Sequence, residues 1–342
     1  MQKSLDLKLK NINQDPLSSN DFILADAKDA DLAFGLASPG KSVGRGDGGE
    51  RFRSLAEFRD QMREIVRQGM VDIMLMSASS SEILALEERV FDDSPVTVAV
   101  RANDTTDIHV IRGGCYNQSP SRPFRSVTIE QIQSGKIQCT EEERNRGPNL
   151  ALYSVTFNND VESDYRTLEA YRDFRIEAEQ KGLRHFLEIF DPVTPGAVEP
   201  QLLGHFINDH IARMLAGVPR RGRPIFLKIA YHGPRSMEDL VHYDPSLVPG
   251  ILGGSSGTTH DAFRLLAEAK KYGARAALFG RKINNAEHQL TFVRFLRLIA
   301  DGELEPEEAV KAYHGGLEKL GIQTHRTLED DLKITQPYLD LA

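Results

Sequence analysis

A lysine inside an apolar run is unusual, because a strongly hydrated ammonium is rarely buried unless it is paired. The run RPIFLKIAYHG, residues 223–233, places Lys228 in that setting. Two roles fit it. One is a snorkelling or salt-bridged cation near a strand end. The other is a desolvated amine whose lowered pKa makes it a nucleophile toward a carbonyl. A second apolar run, RHFLEIFDP at 184–192, carries Glu188. Burial raises a carboxyl's pKa and so suits general acid/base work; the structural alternative is a core partner for Lys or Arg. If Glu188 faces Lys228 from a neighbouring strand, the two readings merge. Asp26 ends the run FILAD, and Lys28 follows it at the rim. Asp26 can orient a substrate hydroxyl, shuttle protons, or cap the next segment.

Two glycine-bearing turns complete the set. GILGGSSGTTHDAF at 250–263 offers Gly253, Gly254 and Ser255 ahead of a helix, and ALFGRKI at 277–283 offers Gly280 and Arg281. Glycine lets backbone approach a ligand closely, a helix N-terminus presents N–H groups, and a guanidinium suits a phosphate. An ordinary glycine-rich turn with threonine caps explains the first turn alone; the two together favour a phosphate site. Other candidates are weaker. His205 and His210 are five residues apart and share a helix face poorly, so no metal set is expected. Tyr153, Tyr231 and His232 lie near strand ends, where packing or rim roles suffice. The loop at 37–53 lacks the strand–GxGxxG–helix context of a dinucleotide site, and no cofactor is expected.

These residues must be held by a regular framework. Strands are predicted at 22–26, 71–77, 95–101, 150–157, 185–190, 224–230, 249–253 and 274–279. Helices are predicted at 52–68, 81–90, 164–181, 200–215, 258–272 and 286–300, with Thr258 and Thr259 at one start and glycine after several ends. The strands are nearly continuous in apolar residues, as expected when both faces are covered. The alternation predicts an α/β fold, a (β/α)8 barrel, with an open doubly wound sheet as the alternative. One barrel domain is expected over 1–342, with an N-terminal extension at 1–20 and a C-terminal helical extension at 303–342. The turns after strands seven and eight would then occupy the usual barrel phosphate position. The long loops 37–53 and 102–149 would follow strands one and three on that same face, as lids or as surface loops.

Composition narrows the class. The chain has 342 residues and a formal net charge of −8. No basic stripe suggests a nucleic-acid partner. No apolar run reaches spanning length, and the opening residues lack a signal-type apolar core. Cys115 and Cys139 are too few for a disulfide framework, so a cytoplasmic location is expected.

The segments FLKIAYHGP and GILGGSSGTTHDAFRLLAEAKKYGARAALFGRKI resemble the last three strands of class I aldolases. The group is that of deoxyribose-phosphate, archaeal fructose-bisphosphate and tagatose-bisphosphate aldolases. The resemblance implies a Schiff-base lysine at Lys228 and a phosphate site at Gly253, Gly254, Ser255, Gly280 and Arg281. HFLEIF is similar to the fifth strand of the tagatose branch, which implies proton transfer by Glu188, and LADAKDA loosely resembles its first strand, which implies an acidic role for Asp26. It spans about residues 22–283 and is most specific over 184–283. The first strand lacks the group's Gln-Arg, an apolar residue near Leu152 stands in place of the fourth-strand lysine, and the archaeal fifth-strand tyrosine is absent. The expected activity is a lyase acting on a phosphorylated sugar, without cofactor, nucleic acid or membrane, and with a homo-oligomer implied by the group. Two alternatives stand beside it: an isomerase or epimerase using Glu188 as base without a covalent lysine, and a non-catalytic sugar-phosphate-binding barrel.

Overall fold

The computed structural model describes residues 1–41, 51–108, 111–254, 257–336 and 339. Eight strands carry the barrel: β1 (Ile23–Lys28), β2 (Ile73–Met76), β3 (Thr97–Arg101), β4 (Leu150–Thr156), β5 (Arg184–Phe190), β6 (Leu227–Ile229), β7 (Gly250–Leu252) and β8 (Ala276–Phe279). Each overlaps one of the eight predicted spans. They pair in parallel around a closed ring, β1-β8-β7-β6-β5-β4-β3-β2. Because β1 pairs with both β8 and β2, the open-sheet alternative is excluded and the fold is a (β/α)8 barrel.

Side-chain alternation splits every strand between two cores. The lumen is filled by Ile23, Ala25 and Ala27 of β1, Ile73 and Leu75 of β2, and their counterparts around the ring. Phe186 and Phe226 stack across the β5–β6 boundary with ring centroids 4.5 Å apart. The other face, including Leu24, Met74, Val100, Tyr153 and Leu187, packs under the helices. Helix α1 (Ser4–Gln14) sends Leu5, Leu9 and Ile12 into the lumen cluster, so it plugs the N-terminal end of the barrel.

The surrounding helices are α2 (Leu55–Gln68), α3 (Val161–Gln180), α4 (Leu203–Ala216), α5 (Pro234–Tyr243), α6 (Thr259–Lys271), α7 (Gln289–Asp301) and α8 (Pro306–Lys319). α2 starts at a Ser54–Glu57 capping box and ends at Gly69 in the left-handed conformation, φ 70°. The helix predicted at 81–90 is instead a short α-turn, Ala78–Ser81, running into a π-helical stretch, Glu82–Glu87; Glu88 N bonds back five residues to Ile83 O. The long segment 102–149 is not simply loop. It holds an antiparallel ribbon, Asp104–Thr105 against Pro123–Phe124, and two short helices, Ile129–Ser134 and Glu141–Asn145. Residues 42–50 of the other long loop lie outside the described residues. Among the described residues, no helix is long and apolar enough to cross a membrane.

Candidate active site

Lys228 sits in the middle of β6, and strand register sets it directly beside Glu188 of β5. Both share the lumen parity of Phe226 and Phe186, two residues earlier on each strand. Lys228 Nζ lies 2.5 Å from Glu188 Oε1, with Lys228 6% and Glu188 1% exposed. The salt-bridged and the functional readings of this lysine therefore describe one and the same pair.

Glu188 is held from its other side. Ser154, its register partner on β4, donates Oγ–H to Glu188 Oε2 at 2.7 Å. Arg101, the last residue of β3, places Nη1 3.6 Å from that same oxygen and donates Nη2–H to Ser154 Oγ at 3.0 Å. Its Nη1–H also donates to Asp29 Oδ2 at 2.6 Å. Burial by itself would raise the Asp29 carboxyl, but the Arg101 guanidinium beside it and the Lys228 ammonium nearby outweigh this and hold it below the usual carboxylate range. Burial likewise works against the Arg101 charge, and Asp29, Glu188 and Asp104 more than offset it, so the guanidinium's pKa is pushed up. Asn103 fixes the β3–β4 edge by accepting from Ser154 N at 2.6 Å and donating to Ser154 O at 2.8 Å. The result is an array of two paired charges, Lys228–Glu188 and Arg101–Asp29, at the C-terminal end of the lumen, with Asp104 Oδ1 a further 3.5 Å contact of Arg101 Nη2.

Above the array lies a cavity of about 340 Å³. Lys228, Glu188, Arg101 and Asp29 form its floor, and Gly253, Gly254, Gly280 and Arg281 line one side. Gly253 is required by packing: a Cβ there would come within 2.2 Å of the buried Phe279 ring. Gly254 adopts φ 63°, the left-handed region that favours glycine. Arg281 is exposed, with its guanidinium 5.4 Å from the Phe34 ring centroid. Ser255 lies outside the described residues.

Three expectations need correction. Asp26 does not share the lumen. It has the parity of Leu24 and faces the helices, where its Oδ2 lies 3.0 Å from Lys28 Nζ with both side chains fully buried. Lys28 is no rim residue either; it donates to Asn284 Oδ1 at 2.6 Å and to Gln289 Oε1 at 3.0 Å. Desolvation pushes the Asp26 carboxyl up and the Lys28 ammonium down. Nor does the α6 N-terminus present open donors as expected. Thr258 N donates to Asp261 Oδ2, Thr259 N to Asp331 Oδ1 and Asp261 N to Thr258 Oγ1, at 2.7, 2.7 and 3.0 Å.

Arg101, Ser154 and Asp29 were missed from the sequence. A signal existed. In LADAKDA the lumen-facing residues are Ala25, Ala27 and then Asp29, and a crowded lumen selects small residues along the strand before the charged one at the cavity. Of the weaker candidates, Tyr153 stacks on Phe174 at 4.4 Å outside the lumen and His232 contacts Asp191 at 2.9 Å.

No protein-family model matches the chain, and no curated protein sequence matches it. Solved structures do. An archaeal fructose 1,6-bisphosphate aldolase is similar over 86% of this chain and 99% of its own, with TM-score 0.59 and 12% identity. An archaeal fructose-1,6-bisphosphate aldolase whose catalytic lysine is covalently bound to the carbinolamine intermediate of its substrate is similar over 86% and 100%, with TM-score 0.58 and 13% identity. A Corynebacterium glutamicum protein solved by a structural genomics effort is similar over 88% and 94%, with TM-score 0.56 and 17% identity. At these identities the likeness is one of fold, and the chain has the closed (β/α)8 architecture seen in archaeal Schiff-base aldolase structures.

Proposed function

We propose that the protein is a class I aldolase that makes or breaks a C–C bond in a phosphorylated sugar through an imine on Lys228. The observation that carries this reading is the Lys228–Glu188 pair, 2.5 Å apart on adjacent strands and facing a cavity edged by two glycine turns and an arginine. The likeness to structures in which a lysine holds a carbinolamine adds support from fold.

The chemistry follows from the array. Glu188 takes a proton from the Lys228 ammonium, and the neutral amine attacks the substrate carbonyl. Glu188 returns the proton to the carbinolamine hydroxyl, which leaves as water, and an iminium results. The iminium draws the electron pair of the cleaving C–C bond into an enamine, while Glu188 accepts the proton of the hydroxyl on the carbon that becomes the aldehyde. Protonation of the enamine and hydrolysis of the imine return Lys228. Ser154 and Arg101 fix the Glu188 carboxylate throughout, and Asp29 fixes Arg101. In this reading the phosphate lies against Gly253, Gly254, Ser255, Gly280 and Arg281, and the protein acts without a cofactor.

Incubation with a mixed sugar-phosphate pool and borohydride, followed by peptide mass spectrometry, should show a reduced adduct on Lys228. No adduct anywhere, or one on another lysine, would overturn the assignment. Lys228→Arg keeps the charge and removes the nucleophile. It should abolish both turnover and trapping, whereas an isomerase using Glu188 alone would keep turnover.

A further inference from the structure

We infer that the substrate carries a single phosphate and ends, on the side away from it, in an uncharged hydroxyl accepted by Asp107. This deepens the reading above and rests on it only in taking the barrel mouth as a sugar-phosphate site. The charges of the cavity nearly cancel in pairs: Lys228 with Glu188, and Arg101 with Asp29. Two lining groups are left over. Arg281, after β8, has no carboxylate within ion-pair distance among the described residues, and Asp107, beyond β3, has no cation within that distance among them. In the ring order β3 and β4 stand opposite β7 and β8. The cavity therefore has one cationic side and one anionic side, with the Lys228 amine between.

Asp107 is built into its side of the cavity. It is 5% exposed. Its Oδ1 accepts from Ser121 Oγ at 2.5 Å and Thr156 Oγ1 at 3.4 Å, which fixes the carboxylate. Its Oδ2 is buried and has no hydrogen-bond partner among the described residues. An unpaired buried acceptor is costly, and an arriving hydroxyl relieves that cost. A phosphate brought to the same place would meet a fixed carboxylate in a desolvated setting, where like charges repel strongly. A bisphosphate, the substrate class in the names of the similar aldolases, has no end that fits here.

The test uses the full chain and calorimetric titration with matched probes. These are fructose 1-phosphate and fructose 6-phosphate against fructose 1,6-bisphosphate, and ribulose 5-phosphate against ribulose 1,5-bisphosphate. At least one monophosphate should bind about tenfold or more tighter than its bisphosphate. Asp107→Asn should weaken that monophosphate and bring the ratio to within about threefold. The wild-type ratio needs no variant, so poor folding of Asp107→Asn leaves the test intact. Equal or tighter binding of the bisphosphates overturns the inference, as does failure of every monophosphate to bind. Borohydride trapping in parallel separates the two readings. Discrimination without an adduct keeps the inference and removes the aldolase; an adduct formed equally well from the bisphosphate does the reverse.

Discussion

At the scale of single residues, the array at the barrel mouth depends on every charge having its partner. Glu188→Gln keeps the volume and the Ser154 contact but cannot take a proton. It should slow imine trapping by about 10²–10⁴-fold while leaving sugar-phosphate binding within a few-fold, as read by quenched borohydride time courses and titration. Arg101→Met leaves Asp29 and Glu188 buried with one fewer cation. Breaking a buried pair from one side costs about 3–5 kcal/mol, and urea unfolding should show a loss in that range. Asp29 adds a pH signature to the same variant. Its folded pKa is depressed, so its stabilising contribution is present above the unfolded value of about 3.9 and is lost as pH falls through the folded value. The gap between wild type and Arg101→Met should narrow below about pH 4.

His185 supplies a second pH dependence, away from the array at the barrel mouth. Its Nε2 lies 2.9 Å from the Tyr171 hydroxyl beneath α3, and burial pushes its pKa down from 6.5 to about 3. Between those values the unfolded chain binds the proton and the folded chain does not, so stability falls as pH falls from 6.5 toward 3. The loss between pH 7 and pH 5.5 should be about 1 kcal/mol. His185→Gln, which does not titrate and can still bond Tyr171, should flatten this part of the profile in thermal melts.

At the scale of elements, the start of α6 is tied to the C-terminal tail. Asp261, near the start of α6, accepts from Thr258 N, and also from Thr335 N and Thr335 Oγ1 at 2.8 and 2.6 Å. Thr258 Oγ1 in turn donates to Lys333 O at 2.7 Å. One carboxylate thus caps the helix and binds the tail. Asp261→Ala should cost about 1–2 kcal/mol from the cap alone. Hydrogen exchange should show the backbone amides of 331–336 losing protection in that variant; unchanged protection would mean that other contacts hold the tail.

At the scale of the whole molecule, the barrel is closed from below by α1. Leu5 and Ile12 are fully buried and Leu9 is 7% exposed, all against lumen residues. Within the segment expected as an N-terminal extension, Ser4–Gln14 thus packs its apolar face against the lumen residues. Ile12→Ala should cost about 2–5 kcal/mol, the range for opening a cavity in a packed core, and denaturant titration measures it. An appended helix would lose far less.

The sequence by itself determined the positions of the eight strands and their alternation with helices, and it put Glu188 and Lys228 on consecutive strands. Apolar runs covered on both faces have few other ways to fold, and strands five and six are neighbours in any barrel of this order. It also determined which turns edge the cavity, because strand ends seven and eight share one face of the ring. Tertiary structure decided which face of each strand met the lumen. A shift of one residue moves a side chain from the lumen to the helix layer, which is how Asp26 and Lys28 came to pair beneath α2 and α7 while Asp29 reached the site. It also decided the network around Glu188, because Arg101 and Ser154 come from strands distant in sequence and meet only when the ring closes. The same closure set Asp107 opposite Arg281 and gave the cavity its two unlike sides. Local pattern fixes periodicity along a strand; only the register between strands assembles charges that lie far apart in the chain.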